Sequence, residues 1–368
     1  MGNFIEQLIA SRLPVLPVKK DLKIGCVGSG FIMRDCQIPA YKSAGFNVAC
    51  ISSRSVEKAR EVGVAHDIPV VFNSIDEMLD KGDFEILDIA VPPEVQPEII
   101  FKALATCKKL KGILAQKPLA MDLSTAKKIV DACHKSSITL AVNQNMRFDQ
   151  SIRVAKSLLN SGKLGDIVLA TIEMRAIPHW MPWAQGLNSL STFIMSIHHL
   201  DTFRYWLGNP DRVFASTTKD PRTKFSHVDG VNLYILEYES GMRASSWDDV
   251  WTGPAKEGAG DDIYIRWRIE GTKGLDKGTI GWPKYPEKVP STLAFTTISD
   301  NGSWHFPSWN EVWFPDAFVG TMAQLLCAVE QGTEPEISGK DNLHTIALCE
   351  AVMKSVLTRQ SIRLDSIS

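Results

Sequence analysis

Between Leu22 and about residue 145, short apolar runs alternate with stretches of helical spacing, six times over. The runs are 22–27 (LKIGCV), 46–51, 69–72, 85–91, 111–115 and 138–143, all rich in Ile, Val and Leu. A strand with one wet face alternates apolar and polar residues, whereas one apolar throughout is covered on both faces. The intervening stretches read as those covering helices. In 122–133 (DLSTAKKIVDAC), Asp122 or Ser124 is placed to cap the first turn, and Ala126, Ile129, Val130 and Cys133 share one helical face. Residues 21–145 are therefore expected to form an α/β domain, a doubly wound parallel sheet with helices on both sides.

The rest of the chain lacks this repeat. Residues 165–176, 211–218, 227–238, 242–251, 261–270 and 292–298 read as strands of an antiparallel sheet, separated by turns such as Glu239-Ser240-Gly241. Helical segments flank them at 149–161, 192–207, 315–331 and 340–359. All ten tryptophans lie at position 180 or beyond, a compositional break between the halves. The expectation is a second, α+β domain over 146–368, with a large, mostly antiparallel open sheet. Residues 1–20 read as an N-terminal arm without legible chemistry. A length of 368 residues agrees with two domains.

Charge narrows the partners. Lys and Arg number 40 against 42 Asp and Glu, a formal net charge of −2, so no excess of cations exists to neutralise nucleic-acid phosphates or an anionic membrane. The densest basic cluster, Lys108, Lys109 and Lys111, reads as a solvated helix end. No apolar run approaches the roughly 18–20 residues that cross a bilayer. Glu6 interrupts any signal-peptide pattern, and it also stands where myristoylation needs Ser or Thr. Seven cysteines form no CxxC; Cys26, Cys50 and Cys107 lie among apolar residues and read as core in a reducing compartment. The expectation is a cytoplasmic protein with a small-molecule partner.

After the first strand comes Gly25-Cys26-Val27-Gly28-Ser29-Gly30-Phe31-Ile32-Met33, a G-x-G-x-x-M frame on Gly28, Gly30 and Met33. Gly28 permits a tight turn and Gly30 a close approach of backbone to a pyrophosphate. Phe31 and Ile32 open the next helix, whose free N–H groups face the anion. On the first strand of an α/β repeat this is a dinucleotide loop of the Rossmann type. The second strand ends in Ser53-Arg54, where an acidic residue would grip the ribose diol of NAD. Arg54 suits the 2′-phosphate of NADP, yet it also serves NAD by stacking on adenine, or simply faces solvent; NAD and NADP both stay open.

Ligands of such sheets bind outside the carboxyl ends of the strands. The fourth strand ends at Ala90-Val91-Pro92-Pro93 and the fifth at Gln116-Lys117-Pro118. A lysine there is placed to act on a substrate hydroxyl. Further on, the helix FIMSIHHLDTFRYWL carries His198, His199 and Asp201. A neutral imidazole accepts a hydroxyl proton at neutral pH, and Asp201 lies one turn on, close enough to orient the pair. Taken alone, such a run is more often the pattern of interior packing and a cap. HHxxD also suggests metal ligation, but no third ligand cluster stands out, and no metal is expected.

Taken in order, these segments resemble the glucose–fructose oxidoreductase, inositol dehydrogenase and rhizopine-catabolism (Gfo/Idh/MocA) family. Its marks are a glycine loop, T-P-P/N-x-x-H, E-K-P-L-A, N-x-R-F/W and a late H-x-x-D helix. Here they read Val91-Pro92-Pro93-Glu94-Val95-Gln96, Gln116-Lys117-Pro118-Leu119-Ala120, Asn143-Gln144-Asn145-Met146-Arg147-Phe148 and His198-His199-Leu200-Asp201. The resemblance implies a sugar or polyol dehydrogenase using NAD(P), with Lys117 and His198 catalytic and converging on one alcohol. Pro92, Gln96, Gln116 and Asn145 would then lie near the cofactor, and Arg147, His199 and Asp201 near the substrate. Three departures stand out: Gln96 replaces a His, Gln116 a Glu, and Ile194 the Asp often found four residues before the histidine. They leave room for an NAD-recycling glycosidase or eliminase acting through the 3-hydroxyl of a glucoside, or for a dinucleotide-binding regulator without activity. The resemblance also implies a homodimer or homotetramer built through the second sheet.

Tryptophans interleave with polar residues at 177–183, 246–251 and 304–313. Indoles lie against the C–H faces of sugars while polar groups read the hydroxyls, so Trp180, Trp183 and Asp248 are candidates for substrate contact. Core packing or a subunit interface is the competing use.

Overall fold

The computed structural model describes residues 2–175, 182–249, 263–281 and 286–366. The chain forms two compact units, Pro14–Asn145 with Phe314–Ile346, and Met1–Leu13 with Met146–Trp313 and Ala347–Ser368.

In the first unit, β1 (Lys23–Val27), β2 (Asn47–Ser52), β3 (Val70–Val71), β4 (Ile86–Ile89), β5 (Gly112–Ala115) and β6 (Thr139–Val142) make one sheet in the order β3-β2-β1-β4-β5-β6. Every neighbouring pair is parallel. This is the doubly wound order, with its reversal between β1 and β4. The central strands β4 and β5 are buried along their whole length, and the one charged residue in β4, Asp88, accepts from Gln37 and Tyr41 at 2.8 Å. Helices α3 (Val56–Ala65), α4 (Ile75–Lys81) and α6 (Leu123–Lys135) start on Ser55, Ser74 and Asp122, whose side chains accept backbone N–H groups of the first turn. Asp122 is thus the cap of α6 and Ser124 is not; Leu123 joins Ala126, Ile129 and Cys133 on its buried face, while Val130 is half-buried.

The remaining helices over the first 145 residues are α2 (Ile38–Ala44) and α5 (Gln96–Thr106), after α1 (Gly2–Ala10). The break between residues 145 and 146 separates the two units, while residues 1–13 join the second and 314–346 the first. Helix α1 buries Leu8 and packs on α7 (Gln150–Asn160) in the second unit. Residues 314–346 return to the parallel sheet. There the Val142 N–H donates to the Ile337 carbonyl at 2.8 Å, and a later helix, Ala317–Gln331, lies against β5 and β6. Both are long-range pairings, which local periodicity does not encode.

The second unit is built on β7 (Ile167–Arg175), β8 (Arg212–Thr218), β9 (Val231–Glu237), β10 (Arg243–Asp249), β11 (Tyr264–Gly271), β12 (Gly274–Ile280), β13 (Thr292–Thr297) and β14 (Ile362–Arg363). Their order is β13-β12-β11-β7-β10-β9-β8-β14, antiparallel except for the parallel pair β10/β7. Strand β12 has no counterpart among the sequence expectations. Its residues, GLDKGTI, have weak strand propensity and are held by ladders on both sides, to β11 and β13. Helix α8 (Ile197–Leu207) is preceded by a wider turn over Thr192–Ser196, and every side chain from Thr192 to Arg204 is buried. The late helices are α9 (Ala317–Gln331) and α10 (Gly339–Thr358).

Candidate active site

Within the parallel sheet, the sequence candidates gather on the carboxyl edge. Gly28 ends β1 with φ of +116°, and a Cβ there would stand 2.3 Å from the Ala90 carbonyl oxygen. No amino acid with a side chain meets both conditions. Its N–H donates to the Ser52 carbonyl at 2.8 Å, which ties the loop to β2. A Cβ on Gly30 would meet nothing within 4 Å, so the backbone there borders open space. Phe31 and Ile32 follow at the start of the next helical turn, with the Phe31 ring 6.1 Å from that of Phe314. The loop therefore fits a pyrophosphate against backbone N–H groups. At the end of β2, Ser53 is buried; its hydroxyl accepts from Ser29 (2.9 Å) and donates to the Ser55 carbonyl (2.6 Å). Arg54 beside it is exposed.

Pro92 follows β4, and its carbonyl accepts the Val95 N–H at 3.1 Å in the turn into α5. Gln96, expected near the cofactor, has another use. It is fully buried, and its amide nitrogen donates to the carbonyls of Gln116 (2.9 Å), Leu119 (3.1 Å) and Pro118 (3.2 Å), while its oxygen accepts the Gln116 N–H (2.7 Å). Gln96 is a clamp on the loop carrying Lys117. Lys117 itself is half-buried, precedes a cis peptide to Pro118, and has its N–H bound by the Gln116 side chain at 3.0 Å.

Sequence reasoning did not single out Asn143 and Gln144. Both are buried at the end of β6, and all four polar atoms of their side chains lack a partner among the described residues, as does Nε2 of Gln116. Buried amides are nearly always satisfied. Orphaned ones at the carboxyl edge of this sheet fit a polar ligand that completes them. Asn145 is also buried, its amide 3.5 Å from the Asn143 carbonyl.

In the second unit, successive residues of α8 point about 100° apart, which separates the two histidines. His198 stands edge-on to Trp313 with ring centroids 5.9 Å apart. His199 faces β10 and is fully enclosed, its Nδ1 sharing a hydrogen bond with Ser246 Oγ (3.0 Å) and lying 3.6 Å from Asp248. Burial drives its pKa down to about 3, so it is neutral near pH 7. Burial also pushes the Asp248 carboxyl up to about 7, against the hydrogen bond from Ser196 Oγ at 2.6 Å. Both residues are enclosed, and His199 Nε2 and Asp248 Oδ1 have no partner among the described residues.

Arg147 and Asp201, also expected at the substrate, grip each other. The guanidinium bonds both carboxylate oxygens, Nε to Oδ2 at 2.6 Å and Nη2 to Oδ1 at 2.7 Å, and both residues are buried. Arg204 adds a second cation 3.5 Å from the same carboxylate. Ile194 is buried in the turn before α8. Trp183 is 40% exposed, and Trp180 lies outside the described residues.

Two family models match the chain: one described as an oxidoreductase family with an NAD-binding Rossmann fold, over residues 22–144, and the GFO/IDH/MocA C-terminal domain, over 152–275. The chain belongs to the Gfo/Idh/MocA oxidoreductase family. It is an NAD(P)-dependent oxidoreductase of this group. Among curated relatives it is 27% identical to D-apiose dehydrogenase of Rhizobium rhizogenes, over 94% of this chain and 99% of that protein. It is 23% identical to 1,5-anhydro-D-fructose reductase of Ensifer adhaerens, over 93% and 98%. Among solved structures, an oxidoreductase from Agrobacterium radiobacter in complex with NAD+, L-tartaric acid and magnesium superimposes with a TM-score of 0.80 at 24% identity, covering 95% of this chain and all of that one. Levoglucosan dehydrogenase in complex with NADH and L-sorbose gives 0.79 at 18% identity, over 94% and 99%. These two likenesses establish the shared fold.

Proposed function

We propose that this oxidoreductase acts on a secondary alcohol of a sugar, polyol or glycoside, with Lys117 and His198 handling the hydroxyl. The observation that carries the reading is the carboxyl edge of the parallel sheet, where the Gly28–Gly30 loop and the clamped Lys117 loop stand at the ends of β1 and β5. The relatives named for D-apiose and 1,5-anhydro-D-fructose support a carbohydrate as substrate. A bound nicotinamide dinucleotide supplies the hydride acceptor. Lys117 donates a hydrogen bond to the reacting oxygen and steadies the charge that develops on it. His198 accepts its proton. Gln96 keeps the lysine loop in place, and Gln116, Asn143 and Gln144 offer amides to the polar rim of the cofactor.

The test is a panel of aldoses, polyols and glucosides with NAD or NADP, following nicotinamide absorbance and product together. Reduction in step with an oxidised sugar is expected. Glycoside consumed without net reduction would instead indicate a recycled cofactor, and no hydride exchange with any member of the panel would contradict the proposal.

Without a carboxylate at the end of β2, the chain has no repulsion against a 2′-phosphate, and the exposed Arg54 is a free cation to meet one. Arg54→Ala is expected to weaken NADP binding about tenfold, or about 1.4 kcal/mol, while NAD binding changes less than about twofold. Equal losses in a calorimetric titration would mean that Arg54 stacks on adenine.

Assembly through the second sheet rests on its outer face. Leu233, Ile235 and Phe214 are 50%, 44% and 40% exposed, side by side on β9 and β8, which marks a surface suited to a second copy. A single-chain mass by light scattering would overturn this. Among the described residues no helix is long and apolar enough to cross a membrane.

A further inference from the structure

The polar side chains enclosed beneath α8 form one connected set, and that set ends on the turn carrying His198. Asp248 and Asn232 are cross-strand partners on β10 and β9, as are Ser246 and Tyr234, so all four point to the same inner face. Ser196, the last residue of the wider turn and two positions before His198, donates to Asp248 Oδ2 at 2.6 Å and accepts from Asn232 Nδ2 at 2.8 Å. The same amide reaches Thr192 Oγ1 at 3.3 Å. One turn on, His199 meets Ser246 and lies beside Asp248. The backbone entering this turn is held as well, with the N–H groups of Leu190 and Thr192 donating to the two oxygens of Asp229 at 2.7 and 2.8 Å. Ser196, His199, Asn232, Asp229 and Asp248 are all fully buried.

Burying a carboxyl, an imidazole and an amide together costs free energy unless their bonds are made, so an apolar filling of this space would be the simpler way to pack a helix on a sheet. What hydrogen bonds add is direction. They fix the rotation of the first turn of α8, and with it the aim of the next side chain on that turn, His198. Ile194, with no polar atom in its side chain, performs no such task.

We propose that Asp248 is a positioning residue for His198, acting through Ser196 and His199. The proposal rests on the reading of His198 as the base. A misplacement of about 1 Å costs a reacting group up to about 100-fold, which sets the scale of the expected loss.

The test compares Asp248→Leu, Asp248→Asn, Ser196→Ala and His198→Ala in the whole enzyme with dinucleotide and its best sugar. Asp248→Leu keeps the volume and removes the acceptor; Asp248→Asn keeps an oxygen for Ser196. The expected result is kcat lowered about 10- to 100-fold in Asp248→Leu with KM within about twofold, and recovery to within about threefold of wild type in Asp248→Asn. If Asp248→Leu fails to fold, Ser196→Ala removes the same bond by deleting one oxygen, and a tenfold loss of kcat is expected there. Placed on His198→Ala, neither change should slow the enzyme further. A folded Asp248→Leu or Ser196→Ala enzyme with wild-type kcat would overturn the proposal, as would a full additional loss on the His198→Ala background. If His198→Ala itself retains wild-type kcat, the base assignment falls and this proposal falls with it, an outcome distinct from the other two.

Discussion

Lys117→Ala is expected to lower kcat by about two orders of magnitude or more, with dinucleotide affinity within about twofold of wild type. The reason lies in how the residue is held. The loop from Gln116 to Leu119 is fixed by Gln96 from below, through carbonyls and one N–H, so truncating the lysine side chain removes an ammonium without releasing the backbone. The glycine loop stands on a different strand and bonds to β2, so the pyrophosphate seat is untouched. Stopped-flow reduction of the nicotinamide, with a separate cofactor titration, separates the two effects. Loss of cofactor binding in proportion to activity would make Lys117 a cofactor ligand instead. His198→Ala is expected to fall by a similar factor, since general-base contributions lie in about the 100- to 10,000-fold range.

The second large effect is on stability. Arg147→Ala should destabilise the protein by about 3–5 kcal/mol, because it leaves the enclosed Asp201 without its bidentate partner and with only Arg204 at 3.5 Å. Asp201→Ala should cost a similar amount, and the double alanine variant less than the sum, since the two losses are one broken pair. Replacing both with apolar residues, Arg147→Met with Asp201→Leu, should recover most of the deficit. Denaturant melts of the four variants measure this. The opposite pattern, unchanged melting with a large rise in KM, would return Arg147 to the substrate role that its place in the N-x-R-F segment implies.

These two residues show where the sequence was legible and where it was not. The parallel sheet was plain because its strands are mostly apolar on both faces, and the cap at Asp122 follows local chemistry. The glycine loop was equally plain, since Gly28 needs a backbone region closed to other residues. Strand β12 was missed because its ladders, and not its own residues, make it a strand. The return of residues 314–346 to the first unit was missed for a related reason: an apolar helix face does not name its partner. The candidate site mixes both cases. Arg147, His199, Asp201, Asp248 and Gln96 are of the types that bind ligands, and the same chemistry satisfies a buried neighbour. Only their partners distinguish the two uses. Gln96 makes four bonds to the lysine loop, and Arg147 forks on Asp201.

The central claim is that Lys117 and His198 serve one proton transfer from a sugar alcohol. The single-turnover rate of nicotinamide reduction in Lys117→Ala, His198→Ala and the double variant tests it most directly. A double variant about as slow as the slower single variant is the predicted result, because groups acting on one step are not additive. Losses that multiply across the two, or a wild-type rate in either single variant, would contradict it.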